Sequence, residues 1–175
     1  MKHTILTQTG STLIELLLYI AIATGIIIGV GAIGAGVMTD RAKAQTLDEM
    51  RYRVNDFASI LSTDIREGSR ITVPQFFDTA STTLTIGSTL PSRNPTVYQF
   101  VAGILYRTVG TGTPVVVVPA ELAWSGASFS LLGATGTTPS VRFTGQLTSG
   151  SGTIGTGYRL SIPVSVSASL RAPQP

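Results

Sequence analysis

The fold of this chain is decided by residues 10–39, which read GSTLIELLLYIAIATGIIIGVGAIGAGVMT. No charged residue occurs in residues 16–39, a run of 24 residues in a chain of 175. As an α-helix this run would be about 36 Å long, and the hydrocarbon core of a bilayer is ~30 Å thick. The sequence therefore predicts one membrane-spanning helix near the amino terminus.

The segment before this run, MKHTILTQTG, is short and mildly basic. It lacks the apolar stretch of an ordinary secretory signal, so it needs another explanation. Lys2 on one side of the span is balanced by Arg41 and Lys43 on the other, so the distribution of positive charge does not set the orientation.

Helical periodicity continues beyond the span in amphipathic form. Apolar residues recur at alternating intervals of three and four: Leu47, Met50, Val54, Phe57, Leu61 and Ile65. The charged residues between them are expected on the solvent-exposed face: Asp48, Glu49, Arg51, Arg53, Asp56, Asp64 and Arg66. Gly68 and Pro74 should end the helix. The stripe fits either a coiled-coil seam or packing on a following sheet, and its length of under three heptads favours the sheet.

From Ile71 onward the apolar period changes to two, which is typical of β-strands. Strands are predicted around residues 84–86, 97–101, 104–108, 115–118, 122–132, 141–147 and 158–170. The second and third should form a hairpin around Gly103, and residues 115–118 should be a buried strand. Pro163 should place the last strand at a sheet edge or mark a bulge. Loops are predicted at residues 133–139 and 148–157.

Composition excludes several classes of site. The chain has no cysteine, its one histidine is His3, and Asp78 and Glu121 are its only carboxylates after Glu67. Disulfides and thiolate chemistry are therefore absent, and a calcium cage in the last third is disfavoured. The arginines are scattered rather than clustered, so no specific nucleic-acid binding is expected. We expect no enzyme, no cofactor and no metal site.

The segment Gly10-Ser11-Thr12-Leu13-Ile14-Glu15, followed at once by an apolar helix, resembles the class III signal of type IV pilins and type II secretion pseudopilins. The resemblance implies that prepilin peptidase cuts between Gly10 and Ser11 and methylates the new amino group of Ser11. It also implies that Glu15 is the family's glutamate at the fifth mature position, used in subunit assembly. Ser11 departs from the phenylalanine or methionine usual there, and the residues before Gly10 lack the customary basic residue.

Glu15 lies in an apolar stretch, where an unpaired carboxylate costs roughly 2 to 3 kcal/mol on insertion scales. The family resemblance implies a partner, the terminal ammonium of the neighbouring subunit. Two such charges about 4 Å apart attract by roughly 4 kcal/mol at an effective dielectric near 20, before desolvation. This pairing would set the axial register between subunits. The competing interpretation places Glu15 at the membrane interface of an uncleaved signal anchor.

Five glycines punctuate the span: Gly25, Gly29, Gly31, Gly34 and Gly36. Gly25-x-x-x-Gly29, with Ala32 and Gly36 further on, would let helices approach closely. Alternatively, glycines loosen the helix when the subunit leaves lipid, since each costs about 1 kcal/mol relative to alanine. A third interpretation gives them no special role.

The remainder of the chain has a looser likeness, carried by residues 97–100, the run Gly103-Ile104-Leu105-Tyr106-Arg107, residues 115–119 and a terminal strand ending at Arg171. These segments resemble the J-type minor pseudopilins and related minor pilins. The resemblance implies an α+β, pilin-like fold, in which a long amino-terminal helix packs on a carboxy-terminal antiparallel β-sheet domain. It divides the chain into a cleavable leader (1–10), a membrane and filament-core helix (11–39), an amphipathic helix (40–70) and a β-rich globular domain (71–175).

The function implied by this resemblance is that of a structural, minor subunit of a type IV pilus, a competence pseudopilus or a type II secretion pseudopilus. Its expected partners are other pilin or pseudopilin subunits, prepilin peptidase, the inner-membrane assembly platform and membrane lipid. It would cross the bacterial cytoplasmic membrane once, with the globular domain outside the cytoplasm, before entering the filament.

A second function class is a signal-anchored, β-rich envelope module that binds glycan or DNA and does not polymerise. It would display Trp124, Tyr98, Tyr106 or the Ser/Thr-rich loops. Because these aromatics sit in strand-like contexts beside apolar neighbours, we expect them in the core.

Overall fold

A computed structural model describes residues 12–119, 121–133, 138–149 and 159–171 of this chain. Within those ranges the chain forms one long α-helix, a short 3-10 helix at Pro91–Arg93 and nine β-strands. By contacts between residues it divides into two units, Met1–Ala42 and Lys43–Pro175.

Helix α1 runs from Leu13 to Glu67 and is 55 residues long. Its amino-terminal part is apolar and long enough to cross a membrane, and none of its most apolar stretch is buried. Its other end follows the expected stop signal, because the backbone amide of Gly68 donates to the Asp64 carbonyl at 3.0 Å. A Cβ at Gly68 would collide with the Ile86 side chain, so this position requires glycine to bring the chain close to the sheet.

The strands form two antiparallel sheets. In chain order they are β1 Arg70–Val73, β2 Ala80–Ser81, β3 Thr83–Gly87, β4 Thr96–Val101, β5 Ile104–Val109, β6 Val115–Val116, β7 Leu122–Leu132, β8 Ser140–Ser149 and β9 Ser161–Ser169. One sheet has the order β1-β3-β4-β5-β6, and the other has the order β2-β7-β8-β9. The α+β layout predicted from the sequence is confirmed.

The carboxy-terminal part of α1 packs on the β-strands through the predicted stripe. Met50, Phe57, Leu61 and Ile65 are at most 1% exposed. The Phe57 ring meets Trp124 edge-on at 5.5 Å and Phe143 at 4.9 Å between centroids. The stripe is therefore a packing face against the sheets, as its short length indicated.

Two strand predictions based on single residues are confirmed. The β4–β5 hairpin turns at Ala102 and Gly103, whose φ angles of 52° and 81° are those of a two-residue hairpin turn with both central residues left-handed. Among the described strands β9 pairs with β8 alone and lies at an edge, which is one of the two arrangements predicted from Pro163, a residue with no amide hydrogen to donate.

The prediction of a buried strand at residues 115–118 was wrong. Strand β6 covers only Val115 and Val116, which are 62% and 42% exposed, whereas Val118 is 2% exposed. A short apolar run does not distinguish a buried strand from an edge strand. Past Val116 the Val117 amide donates to the Leu105 carbonyl, and Pro119, which has no amide hydrogen, cannot extend the ladder with β5 further.

Two boundary differences are smaller. Strand β8 continues to Ser149, two residues into the loop predicted at 148–157. Strand β9 begins at Ser161, and residue 158, where the prediction began, lies outside the described residues.

Candidate assembly site

The residues predicted to carry processing and assembly lie at the start of α1. Gly10 and Ser11, the predicted cleavage and methylation positions, are outside the described residues. Glu15 lies in the first helical turn, and its amide donates to the Thr12 carbonyl at 3.0 Å. A carboxylate at this position is favoured by the positive end of the helix dipole.

Tyr19 is a close neighbour of Glu15 that the sequence interpretation passed over. It lies one turn further along α1, and its hydroxyl donates to Glu15 Oε1 at 3.4 Å. The spacing of four residues places both side chains on the same face of the helix. A phenol in an otherwise apolar segment gives the carboxylate a hydrogen-bond donor on its own helix.

Around these two residues α1 presents a continuous apolar surface. The large apolar side chains of residues 13–38 are between 47% and 77% exposed. Such a surface is stable in lipid or against other apolar helices, but not in water. The arrangement is therefore an exposed apolar rod with one carboxylate near its amino-terminal end.

The predicted packing glycines fall on one side of this rod. At about 100° per residue, Gly25, Gly29 and Gly36 lie within roughly 40° of one another around the helix axis. An added Cβ at any of the three would meet nothing within 4 Å. They leave a shallow groove on the helix, which fits close approach of a second helix and leaves the alternatives of loosening or no role standing.

The clearest polar cluster within the described residues surrounds Asp64. The predicted solvent exposure of Asp64 was wrong. Asp64 was placed on the solvent-exposed face of the helix, but the residue is only 5% exposed. Arg107 donates to it twice, from Nε to Oδ2 at 2.7 Å and from Nη2 to Oδ1 at 2.8 Å. Tyr98 donates its hydroxyl to Oδ2 at 2.6 Å, and Arg93 Nη2 donates to Oδ1 at 3.1 Å.

The β4–β5 pairing brings the donors of this cluster together. Tyr98 and Arg107 are direct cross-strand partners, so their side chains leave the sheet side by side. Arg93 ends the 3-10 helix and also pairs with Glu67 in the last turn of α1. Asp64 thereby ties the end of α1 to β4, β5 and the segment that precedes β4.

The cluster favours the protonated form of two titratable side chains, Tyr98 and Arg107. Burial, followed by the hydrogen bond to Asp64, raises the pKa of the Tyr98 hydroxyl above its usual range. The hydrogen bond to Asp64 raises the pKa of the Arg107 guanidinium. Tyr98 stays a neutral donor and Arg107 stays a cation. With four donors on its carboxylate, Asp64 acts as a structural anchor between helix and sheet.

A sequence signal for Asp64 was present. Met50, Phe57 and Asp64 are spaced by seven residues, so Asp64 continues the buried face of the stripe. Arg107 follows Leu105 by two residues in β5, and Leu105 is fully buried. A carboxylate and an arginine that both fall on buried faces predict a buried ion pair, because either charge alone would be costly there.

Of the three aromatics considered for ligand display, two lie in the core as expected and one does not. Trp124 is 5% exposed and Tyr98 is fully buried, whereas Tyr106 is half-buried. In the part of the chain that the structure describes, no group of three or more His, Asp or Glu side chains is placed to hold a metal ion.

Comparison of the chain with protein-family models, curated proteins and solved structures returned no match.

Proposed function

We propose that this chain is a structural, minor subunit of a type IV pilus or pseudopilus. Prepilin peptidase would process it after Gly10 and methylate Ser11, and it would assemble through its amino-terminal helix. The observation that carries the proposal is α1 itself. Its start is an exposed apolar rod with Glu15 in the first turn, and the same helix ends in the core of the β-domain.

The exposed apolar surface supports storage in a membrane followed by helix packing in a filament. Lipid tails and neighbouring apolar helices cover such a surface about equally well, so moving between them costs little hydrophobic free energy. The features that would fix the position of a subunit in the filament are then polar and steric. Glu15 supplies the charge, and the side with Gly25, Gly29 and Gly36 supplies close approach.

The Asp64 cluster supports a mechanical role for the helix. A subunit pulled out of a membrane must carry load from its helix to its globular domain. The fully hydrogen-bonded carboxylate of Asp64, near the helix end, joins α1 to two strands and to Arg93. Removing it would leave cations without their partner, so this connection resists opening.

The competing function, an unpolymerised module that displays aromatics to glycan or DNA, has less support. Trp124 and Tyr98 are enclosed in the core and present no ring surface to a ligand. Tyr106 is half-buried, and most of the Ser/Thr-rich loops lie outside the described residues.

The assembly role of Glu15 is tested with Glu15→Gln, which keeps the side-chain size and removes the charge. Asp56→Asn is the matched control, because Asp56 is exposed on the same helix and has no ion pair within the described ranges. In a host that assembles the wild-type chain, sheared filament fractions should lose the Glu15→Gln chain by at least about tenfold, the equivalent of 1.4 kcal/mol. The Asp56→Asn chain should remain at wild-type level. Equal filament content for both variants would contradict assembly through Glu15.

A further inference from the structure

An open cavity of about 650 Å³ lies at the carboxy-terminal end of α1. Four segments of the globular unit, Lys43–Pro175, form it: the last turn of the helix, the two residues between the helix and β1, the stretch from the end of β3 to the start of β4, and Arg171 after β9. Its volume falls in the range of ligand sites, roughly 300 to 1,000 Å³.

The cavity carries a positive charge that no carboxylate within the described ranges neutralises. Asp64 and Glu67 on its wall are matched by Arg93 and by Arg107 behind it. Arg66 and Arg171 also line the cavity, and both are exposed. Neither makes an ion pair or a side-chain hydrogen bond with any residue in the described ranges. Two guanidinium groups therefore remain for an anion from outside.

The rest of the lining narrows the chemistry of that anion. Ser88 and Thr89, which carry hydroxyl groups, also line the cavity, as does Leu90, which is 56% exposed. No aromatic residue lines the cavity within the described ranges, so a sugar ring finds no stacking surface. The negative charge of Glu67 on the cavity wall repels a continuous row of phosphates, which disfavours a nucleic acid as the ligand. A ligand with carboxylates next to aliphatic side chains matches both the positive charge of the cavity and the exposed Leu90.

We propose that this cavity binds an acidic segment of another protein, with a carboxylate held by Arg66 and Arg171 and an aliphatic side chain against Leu90. A guanidinium group binds a carboxylate through two parallel hydrogen bonds, which gives direction as well as affinity. The cavity is open to solvent, so a bound peptide can extend beyond it. Polymerisation is not required for this binding, so it stands or falls separately from the proposed function.

The test measures fluorescence anisotropy of a labelled peptide, Gly-Leu-Glu-Leu-Asp-Leu amide, with the full chain in non-ionic detergent micelles. The comparison peptide carries Gln and Asn in place of Glu and Asp. The double variant Arg66→Ala/Arg171→Ala should bind the acidic peptide about tenfold more weakly, in keeping with the loss of two exposed charge contacts. Arg142→Ala/Arg159→Ala is the matched control. It removes the same charge from two exposed arginines outside the cavity and should bind as the wild type does.

Circular dichroism of both double variants checks that the fold is retained, which exposed positions should allow. Equal weakening by the two double variants would overturn the proposal, because attraction would then be non-specific. Equal binding of the amide peptide, or no binding of the acidic peptide by the wild type, would also overturn it. Stronger competition by polygalacturonate or a DNA oligonucleotide than by unlabelled acidic peptide would show that the ligand class is wrong. Self-association lost only in Arg66→Ala/Arg171→Ala, without peptide binding, would assign the cavity to a second copy instead.

Discussion

Helix α1 contains two regions with the same backbone and opposite surroundings. In residues 13–38 every large apolar side chain is exposed, whereas in residues 50–65 the apolar stripe is buried against the sheets. Apolar residues occur all round the first region and on one face of the second, which is the difference between a membrane or bundle helix and a domain helix. One element thus presents two kinds of surface, and the change between them comes where the apolar residues become confined to one face.

The largest effect is expected when the same substitution is made in both regions, which tests whether they contribute differently to folding stability. Leu61 is 1% exposed and Leu17 is 56% exposed. Leu61→Ala should lower the free energy of unfolding of the globular unit by about 2 to 5 kcal/mol, because it opens a cavity in the core. Leu17→Ala should leave it unchanged. Thermal unfolding in detergent, followed by the near-ultraviolet signal of Trp124, measures both, and equal losses would contradict the division.

A somewhat smaller effect is expected at the charged end of the helix. Asp64→Asn weakens the anchor for Arg107 and Arg93, whose side chains are 27% and 35% exposed. Removing one partner of a fully buried ion pair costs about 3 to 5 kcal/mol, and this partial exposure reduces the expected loss to about 2. Urea unfolding measures it. Asp56→Asn should stay within about 0.5 kcal/mol of the wild type, and a loss as large as that of Asp64→Asn would show that the anchor has no special role.

The smallest effect concerns how the stability of the buried region depends on pH. Tyr98 has its pKa raised above the ordinary value of 10.0, so the folded chain keeps the hydroxyl proton that the unfolded chain loses. Stability from this group is fully present below pH 10 and falls as the pH rises further. Tyr98→Phe should lower the free energy of unfolding by about 1.5 kcal/mol at pH 8. It should also flatten the decline above pH 10, and an unchanged slope would assign the decline to other groups.

Sequence reasoning worked where periodicity and backbone chemistry act locally. The spacing of Phe57 and Leu61 predicted the buried face of the helix, and Gly103 and Pro163 predicted a hairpin and an edge strand. Each inference depends on a few neighbouring residues and not on what lies across the fold.

It failed where a partner from elsewhere in the chain decides. Asp64 is buried because Arg107, 43 positions later, reaches it. The charge of Asp64 alone suggested solvent exposure. Its burial could be predicted only by pairing the buried face of the helix with the face of β5 that carries Arg107. Val115 and Val116 are exposed because their strand ends the order β1-β3-β4-β5-β6, and sheet order is set by long-range pairing. The cavity beside Arg66 and Arg171 likewise depends on four separated segments.

The central proposal, a processed and polymerising subunit, is tested most directly by the mass of the mature chain. The chain is purified from the envelope of a host with active prepilin peptidase and, for comparison, from the same host without the enzyme. With the peptidase, the mass and terminal fragments should correspond to a chain that begins at Ser11 and carries one added methyl group. Without the peptidase, the chain should retain residues 1–10. A chain that still begins at Met1 in the presence of active peptidase would contradict the proposal.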